Sequence, residues 1–486
     1  MRTAIVILLT IITISTFGQK DPELKHLVES FENPIWKFKS DFFQDYCNIN
    51  EIYRYDSVLV IKGGSEEGCE QGVMYGINSN TEKTIWQTDL EPYQGDYYFH
   101  SGNIVFTLEN TLHCLDINTG KEKWTFETPD KTSDFLSLYF IDGLIYCLFS
   151  NLYSSSLYYS GTDSKTNYDS LVVNSLIALD ENTGKENWII GDIGHKQAWK
   201  INYINNCILV LISHQAISAF DTRKKQELWR LNQASHPDWS DQGSHFELKD
   251  TVVQYKFLYG TGDTIFLDRK VSSIDFHNGK ETIIAVDLKS GVIINEFFAG
   301  ELNKCIMEYD HVLSCIGPEN NILFLKRTNI EAQNQCYGDA DYSLVCIDMK
   351  QCTQKWEYNL SENNEKYDVR NHNTTLLADS SDTYLLIKNE IIRFSSKNGE
   401  IIWRKEIKSQ TASDIILINN YIFCSTFSWN NDIYKVNSVV FKKANPSKTE
   451  LIKAGWYNMY KDKNKNSWYS INDMNEVIKI CTEAEK

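Results

Sequence analysis

Apolar and polar residues alternate through residues 112–116, give way to a short polar turn, and resume in a second segment that ends on Trp124. The whole stretch reads LHCLDINTGKEKW, and such alternation marks a pair of half-buried β-strands joined by a hairpin. The same pattern returns as LIALDENTGKENW (176–188), ISAFDTRKKQELW (217–229), LVCIDMKQCTQKW (344–356) and IIRFSSKNGEIIW (391–403). In each copy the Trp stands eight residues after the position that Asp116 holds. A worn copy, VMYGINSNTEKTIW, ends at Trp86, and IIAVDLKSGVIINEF (283–297) keeps Asp287 and Gly291 but has Asn295 in place of the Trp.

The repeat has a physical reading. Gly120, Gly184, Gly291 and Gly399 all fall four residues after the Asp position, where a short hairpin needs a positive φ that glycine adopts without steric cost. The Asp bonds the turn backbone in an Asx arrangement, and the Trp lands at a fixed point on the outer strand, placed to pack on a neighbouring copy. No copy buries its own apolar face, so the copies must stack. Unit lengths of 38 to 66 residues fit four-stranded blades with variable loops, as in a β-propeller.

The form L-x-A-x-D-x-x-T-G-K-x-x-W, seen in 176–188, resembles the pyrroloquinoline-quinone-like (quinoprotein) β-propeller repeat, and the resemblance runs from about residue 45 onward. It implies an all-β chain of four-stranded antiparallel blades. Outer strands are expected near Trp86, Trp124, Trp188, Trp229, Asn295, Trp356, Trp403 and Glu450, which makes eight blades the expectation within a range of seven to nine. The expected divisions are a signal peptide at 1–18, an arm and closing strand at 19–44, and the propeller at 45–486. The arm carries an amphipathic helix (20–31) and an isolated strand NPIWKFK with Trp36 in the repeat position. That strand is expected to complete the last blade and so close the ring, removing two exposed edges.

Residues 1–18 have an early Arg2, an apolar run from Ala4 to Ile14 and small residues at Thr16 and Gly18, the signature of a secretory leader with Gln19 as the mature terminus. The run is too short to span a bilayer as a helix, and no later stretch approaches the needed length. An exported chain with no integral membrane segment, periplasmic or extracellular, is expected. Its formal net charge of −17, or −18 without Arg2, repels phosphates and sets nucleic acids aside as partners. Of the twelve Cys, Cys114, Cys147, Cys207, Cys315, Cys346 and Cys424 sit inside apolar strand patterns and read as buried thiols. Cys47, Cys69, Cys305, Cys336, Cys352 and Cys481 fall nearer loops and are the candidates for bridging.

With strands A to D in each blade, the A–B and C–D turns share one face and the B–C and D–A connections the other. The C–D turns are nearly uniform, so the length variation falls on the second face: 150–174, 232–245, 268–280, 326–342 and 361–373. Long connections of this kind are commonly functional. Tyr153, Tyr158, Tyr159, Trp239, Tyr337 and Tyr342 lie in them, with Trp199 and Trp429 close by, and such aromatics supply rigid contact area at interaction hot spots. His236 and His245 lie there too, as His195 and His214 lie near other connections. Asp339 and Asp341 in YGDADY alternate as calcium-binding carboxylates would. No HxxxH, CxxC or GxSxG spacing occurs.

Quinone-dependent dehydrogenases of the resembled family use an adjacent Cys–Cys pair and calcium-holding carboxylates. This chain has no neighbouring Cys pair, so no cofactor is expected, with calcium and pyrroloquinoline quinone the groups to consider. A similar propeller serves as a lipid-anchored scaffold in outer-membrane protein assembly; here the first Cys after the apolar run is Cys47. The expected function is therefore a non-catalytic, monomeric module that binds a protein or glycan through the loop-bearing face. The alternative is a quinone-dependent dehydrogenase or a hydrolase working in the central funnel.

Overall fold

The computed structural model describes most residues from 22 to 481. Outside it lie 1–21, 41–48, 65–71, 91–96, 151–173, 191–197, 214–215, 233–250, 274–278, 303–312, 329–338, 362–366, 369–373, 408–410, 431–432, 453–455, 462–466, 473–475, 482–486 and a few single positions. Residues 1–18, expected to be a leader, and Gln19 are thus not among the described residues.

The chain is almost entirely β. Seven sheets have four antiparallel strands each, and one nine-stranded sheet contains two further such units. In chain order, sheets 1 to 8 span residues 49–90, 97–127, 134–190, 198–232, 251–302, 314–359, 375–406 and 411–452. Sheet 9 joins both ends of the chain: Trp456–Lys461, Ser467–Asn472 and Val477–Cys481 take their fourth strand from Trp36–Phe38. Trp36 lies opposite Lys479 and Phe38 opposite Val477, so the N-terminal strand completes the last sheet as expected. Because that sheet is separate from the other eight, the described residues form nine four-stranded units against the eight expected.

Each sheet shares a cluster of buried side chains with the next, because alternate residues of a strand face opposite neighbours. The last packs on the first: Tyr469, Ile471 and Val477 of sheet 9 lie with Ile49, Ile52, Leu59 and Ile61 of sheet 1. This is a β-propeller. One helix, α1 (Pro22–Glu32), lies over sheets 8 and 9 with Leu24, Leu27 and Phe31 buried.

The strands run further into the expected connections than their sequence suggests. Asp268 to Ser273 belong to a strand, Thr264–Ser273, and Asp339–Asp348 begins another, so the corresponding connections shrink to 274–278 and 329–338. Charged residues along these segments hide the strand period, because they are buried against one another rather than exposed. Cys114, Cys147, Cys207, Cys315, Cys346 and Cys424 are free thiols as expected. Cys352, expected to bridge, is also a free and buried thiol. The other bridging candidates carry no described side chain.

Candidate binding face and the seams that hold it

The strand order puts the A–B and C–D turns on one face. The C–D turns are built as the repeat predicts. Asp116 Oδ1 accepts from the N–H groups of Asn118 (3.0 Å) and Thr119 (2.9 Å), and Asp180 does the same for Asn182 and Thr183. Five C–D turns then receive the indole of the preceding sheet. Trp86 Nε1 donates to Ile117 O at 2.9 Å, Trp124 to Glu181 O at 3.1 Å, Trp229 to Leu288 O at 2.7 Å, Trp356 to Ser396 O at 3.1 Å and Trp403 to Lys443 O at 2.9 Å. The conserved spacing within the repeat is therefore a latch between successive sheets.

The glycine of the turn sits against that ring. A Cβ on Gly184 would lie 2.5 Å from the Trp124 indole, and its φ is +65°. Where the Trp is absent, the glycine is too: Asn295 faces Cys352, which occupies the glycine position at φ 51°. Asn295 Nδ2 donates to Cys352 O at 2.7 Å, so a smaller amide makes the same kind of bond to a turn that no longer needs room for a ring. Between sheets 3 and 4 Lys225 stands at the glycine position with φ 54°. There Trp188 packs edge-on to Tyr146 of its own sheet, at 5.8 Å, and makes no such bond among the described residues.

A second set of contacts runs along the first strands, and sequence reasoning missed it. Tyr53, Tyr98, Tyr139, Tyr203 and Tyr259 each occupy the third residue pair back from the A–B turn of sheets 1 to 5. Tyr53 stacks on Phe99 of the next sheet at 4.4 Å, Tyr98 meets Phe140 at 5.7 Å and Tyr203 meets Phe257 at 6.2 Å. The hydroxyls of Tyr259 and Ser314 lie 3.3 Å apart. The signal was there: a Tyr at a fixed distance before the A–B turn in each of sheets 1 to 5.

Charged groups tie the same face together. His100 Nδ1 lies 2.7 Å from Oε1 of Glu181, which is 3 % exposed and also accepts from Asn103 Nδ2. Between sheets 7 and 8, Lys443 Nζ is 2.7 Å from Asp379 Oδ2, and Arg393 bonds both Asp382 and Lys443 O. Burial works to raise the Asp379 carboxyl, but Lys443 and the N–H groups of Ser381 and Asp382 outweigh it and hold it at about 2.

The opposite face carries the B–C and D–A connections. Beneath them, where sheet 5 meets sheet 6, lies a buried knot of Asp268, Lys270, Glu281 and Arg327. Arg327 Nη2 donates to Glu281 Oε2 at 2.6 Å, and Lys270 Nζ is 3.9 Å from Glu281 Oε1. Burial raises the Glu281 carboxyl, with Arg327 opposing that shift. The two sheets also join directly here through a parallel contact between Gly300 and Arg327. Arg327 and Lys270 thus hold the Glu281 carboxyl within the seam between sheets 5 and 6, where all four side chains are buried.

Of the residues expected to form a contact surface, Tyr153, Tyr158, Tyr159, His236, Trp239, His245 and Tyr337 lie outside the described residues, as do His195 and His214. Trp199 and Trp429 lie on strands Ala198–Asn205 and Tyr421–Asn430; their side chains are outside the described set. Tyr342 is a correction. It is 8 % exposed and belongs to the core between sheets 6 and 7, because its strand starts three residues earlier and turns it inward. Asp339 and Asp341 open that strand, opposite Asp368 and Thr328, rather than a loop.

Among the described residues no three of His, Cys, Asp and Glu converge on a point where an ion would sit. No helix among the described residues is long and apolar enough to cross a membrane.

Residues 70–198 match the family described as outer membrane protein assembly factor BamB. No curated protein matches the chain. Among solved structures, BamB from Moraxella catarrhalis is similar at 13 % identity over 85 % of this chain and 98 % of that one, with a TM-score of 0.40. A europium-containing methanol dehydrogenase is similar at 11 % identity over 82 % and 84 %, with a TM-score of 0.40. A eukaryotic initiation factor is similar at 9 % identity over 82 % and 87 %, with a TM-score of 0.49. The Asp–Gly–Trp hairpin in register along the chain and the four-stranded antiparallel sheets make this chain a β-propeller whose repeats resemble the pyrroloquinoline-quinone-like kind, with the family match confined to residues 70–198.

Proposed function

We propose that the chain is an exported, non-catalytic scaffold, acting as a monomer, that holds a protein partner on the face bearing its B–C and D–A connections. One observation carries the reading: the described strands on either side of the longest connections, those of residues 151–173, 233–250, 303–312 and 329–338, end at that face, while most C–D turns opposite are short and latched. A face built for uniform turns keeps sheets together, and a face of unequal aromatic-rich loops suits recognition. The match to an outer-membrane assembly factor family supports a protein over a glycan as the partner and the cell envelope as its place. The reading includes no redox cofactor, in keeping with the missing cysteine pair.

The test is site-specific photo-cross-linking in the exporting cell. A photoreactive residue at Tyr158 or Trp239 is expected to capture the same envelope protein, whereas one at Asn118 or Asn182, in the latched turns, captures none. Capture from the turns alone, or from no position, overturns the proposal. The N-terminus of the exported chain, read by mass spectrometry, is expected at Gln19.

A further inference from the structure

Six junctions between successive sheets carry a side-chain latch from the fourth strand of one sheet to the C–D turn of the next. The junction of sheets 8 and 9 is made differently. Sheet 8 has Glu450, opposite Val440, at the position where other sheets place Trp. Across this junction lies α1. Leu24 and Leu27 are fully buried and Phe31 is 4 % exposed, packed among Phe423 and Val440 of sheet 8 and Ile478 of sheet 9. The Phe31 and Phe423 rings are 5.5 Å apart. The three residues fall at i, i+3 and i+7, one stripe of the helix, and eleven residues are too few to hold a helix in water without such docking.

The strand that follows α1 has a matching task. Trp36–Phe38 covers the edge of Val477–Cys481 with only three residue pairs, where other sheets use a fourth strand of up to ten residues. Trp36 and Phe38 also pack into the core shared by sheets 9 and 1.

We propose that residues 22–38 form a strap that replaces the indole latch at this junction, and that sheets 8 and 9 open as one local unit when the strap undocks. Undocking removes an apolar stripe and an edge strand in the same event, while the six side-chain latches between the earlier sheets stay in place.

Hydrogen exchange read by mass spectrometry on the full mature chain tests this. Leu24→Asp with Leu27→Asp is expected to raise exchange in strands Ile433–Lys442 and Val477–Cys481 by roughly tenfold or more, leaving sheets 2 to 6 within about twofold of the parent. If that variant does not fold, Leu24→Ala decides the matter with a smaller change in the same two strands. An equal rise in every sheet, or no rise in these two strands, overturns the proposal.

Discussion

At the scale of single residues, the protein is organised by pairs that answer each other across a junction. Gly184 has no side chain because Trp124 fills the space, and Cys352 has one because Asn295 does not. The two changes compensate, so they must be reversed together. Asn295→Trp alone drives a ring into the Cys352 side chain and is expected to cost about 1–3 kcal/mol by overpacking. Adding Cys352→Gly is expected to recover most of that loss, which urea unfolding of the four chains in a double-mutant cycle measures. Strictly additive losses would mean that the two positions do not share a latch. The same logic explains how much of the junction was legible. The spacing of Asp, Gly and Trp is local, and any copy displays it. That the indole N–H finds a carbonyl in the following sheet is a contact between residues as far apart as Trp124 and Glu181, which no single copy contains.

At the scale of elements, charge adds to the indole latch at the junction of sheets 7 and 8. The carboxyl of Asp379, held at about 2 by Lys443 and two backbone N–H groups, lies below its unfolded value of about 3.9. Its contribution to stability is thus fully present above pH 4 and disappears as pH falls through 2. Asp379→Asn is expected to lower stability at pH 7 by about 1 kcal/mol, discounted for its partial exposure, and to flatten the loss between those two values. Urea midpoints at pH 7 and pH 3 check this, and a variant whose decline parallels the parent's would assign acid sensitivity elsewhere. Glu281 has the opposite sign: its carboxyl is raised, so its ionisation opposes folding as pH rises through the folded value. Neither behaviour is readable from composition, because Asp379 stands at an ordinary polar turn position and Glu281 at an ordinary polar strand position. Only the burial of Glu281 against Arg327 distinguishes it.

At the scale of the whole molecule, the cysteines report on the integrity of the stack. Burial pushes the thiols of Cys114, Cys315, Cys346 and Cys424 up to about 12, so almost none is thiolate near neutrality. Iodoacetamide at pH 8 is expected to spare these four in the folded chain and to label them fully in denaturant, read by peptide mass spectrometry. Rapid labelling of one of them would locate a junction that opens without global unfolding. Their surroundings also explain the reading of Cys352: a turn position suggests exposure, yet the turn itself is covered by the sheet before it.

The amino-acid sequence alone determined the strands, the Asx-closed turns, the free thiols within apolar strands and the stacking of repeated units. Each follows from φ, ψ and burial within a few neighbouring residues. It also located the N-terminal strand at the end of the chain's last sheet, since Trp36 stands outside any hairpin of its own. Tertiary structure decided the rest: nine four-stranded units in place of eight, the inward turn of Tyr342, the charge knot beneath the loops and the docking of α1. Those features depend on which distant segments come into contact. A buried charge or an added sheet has the same local pattern as an exposed one until its neighbour is in place.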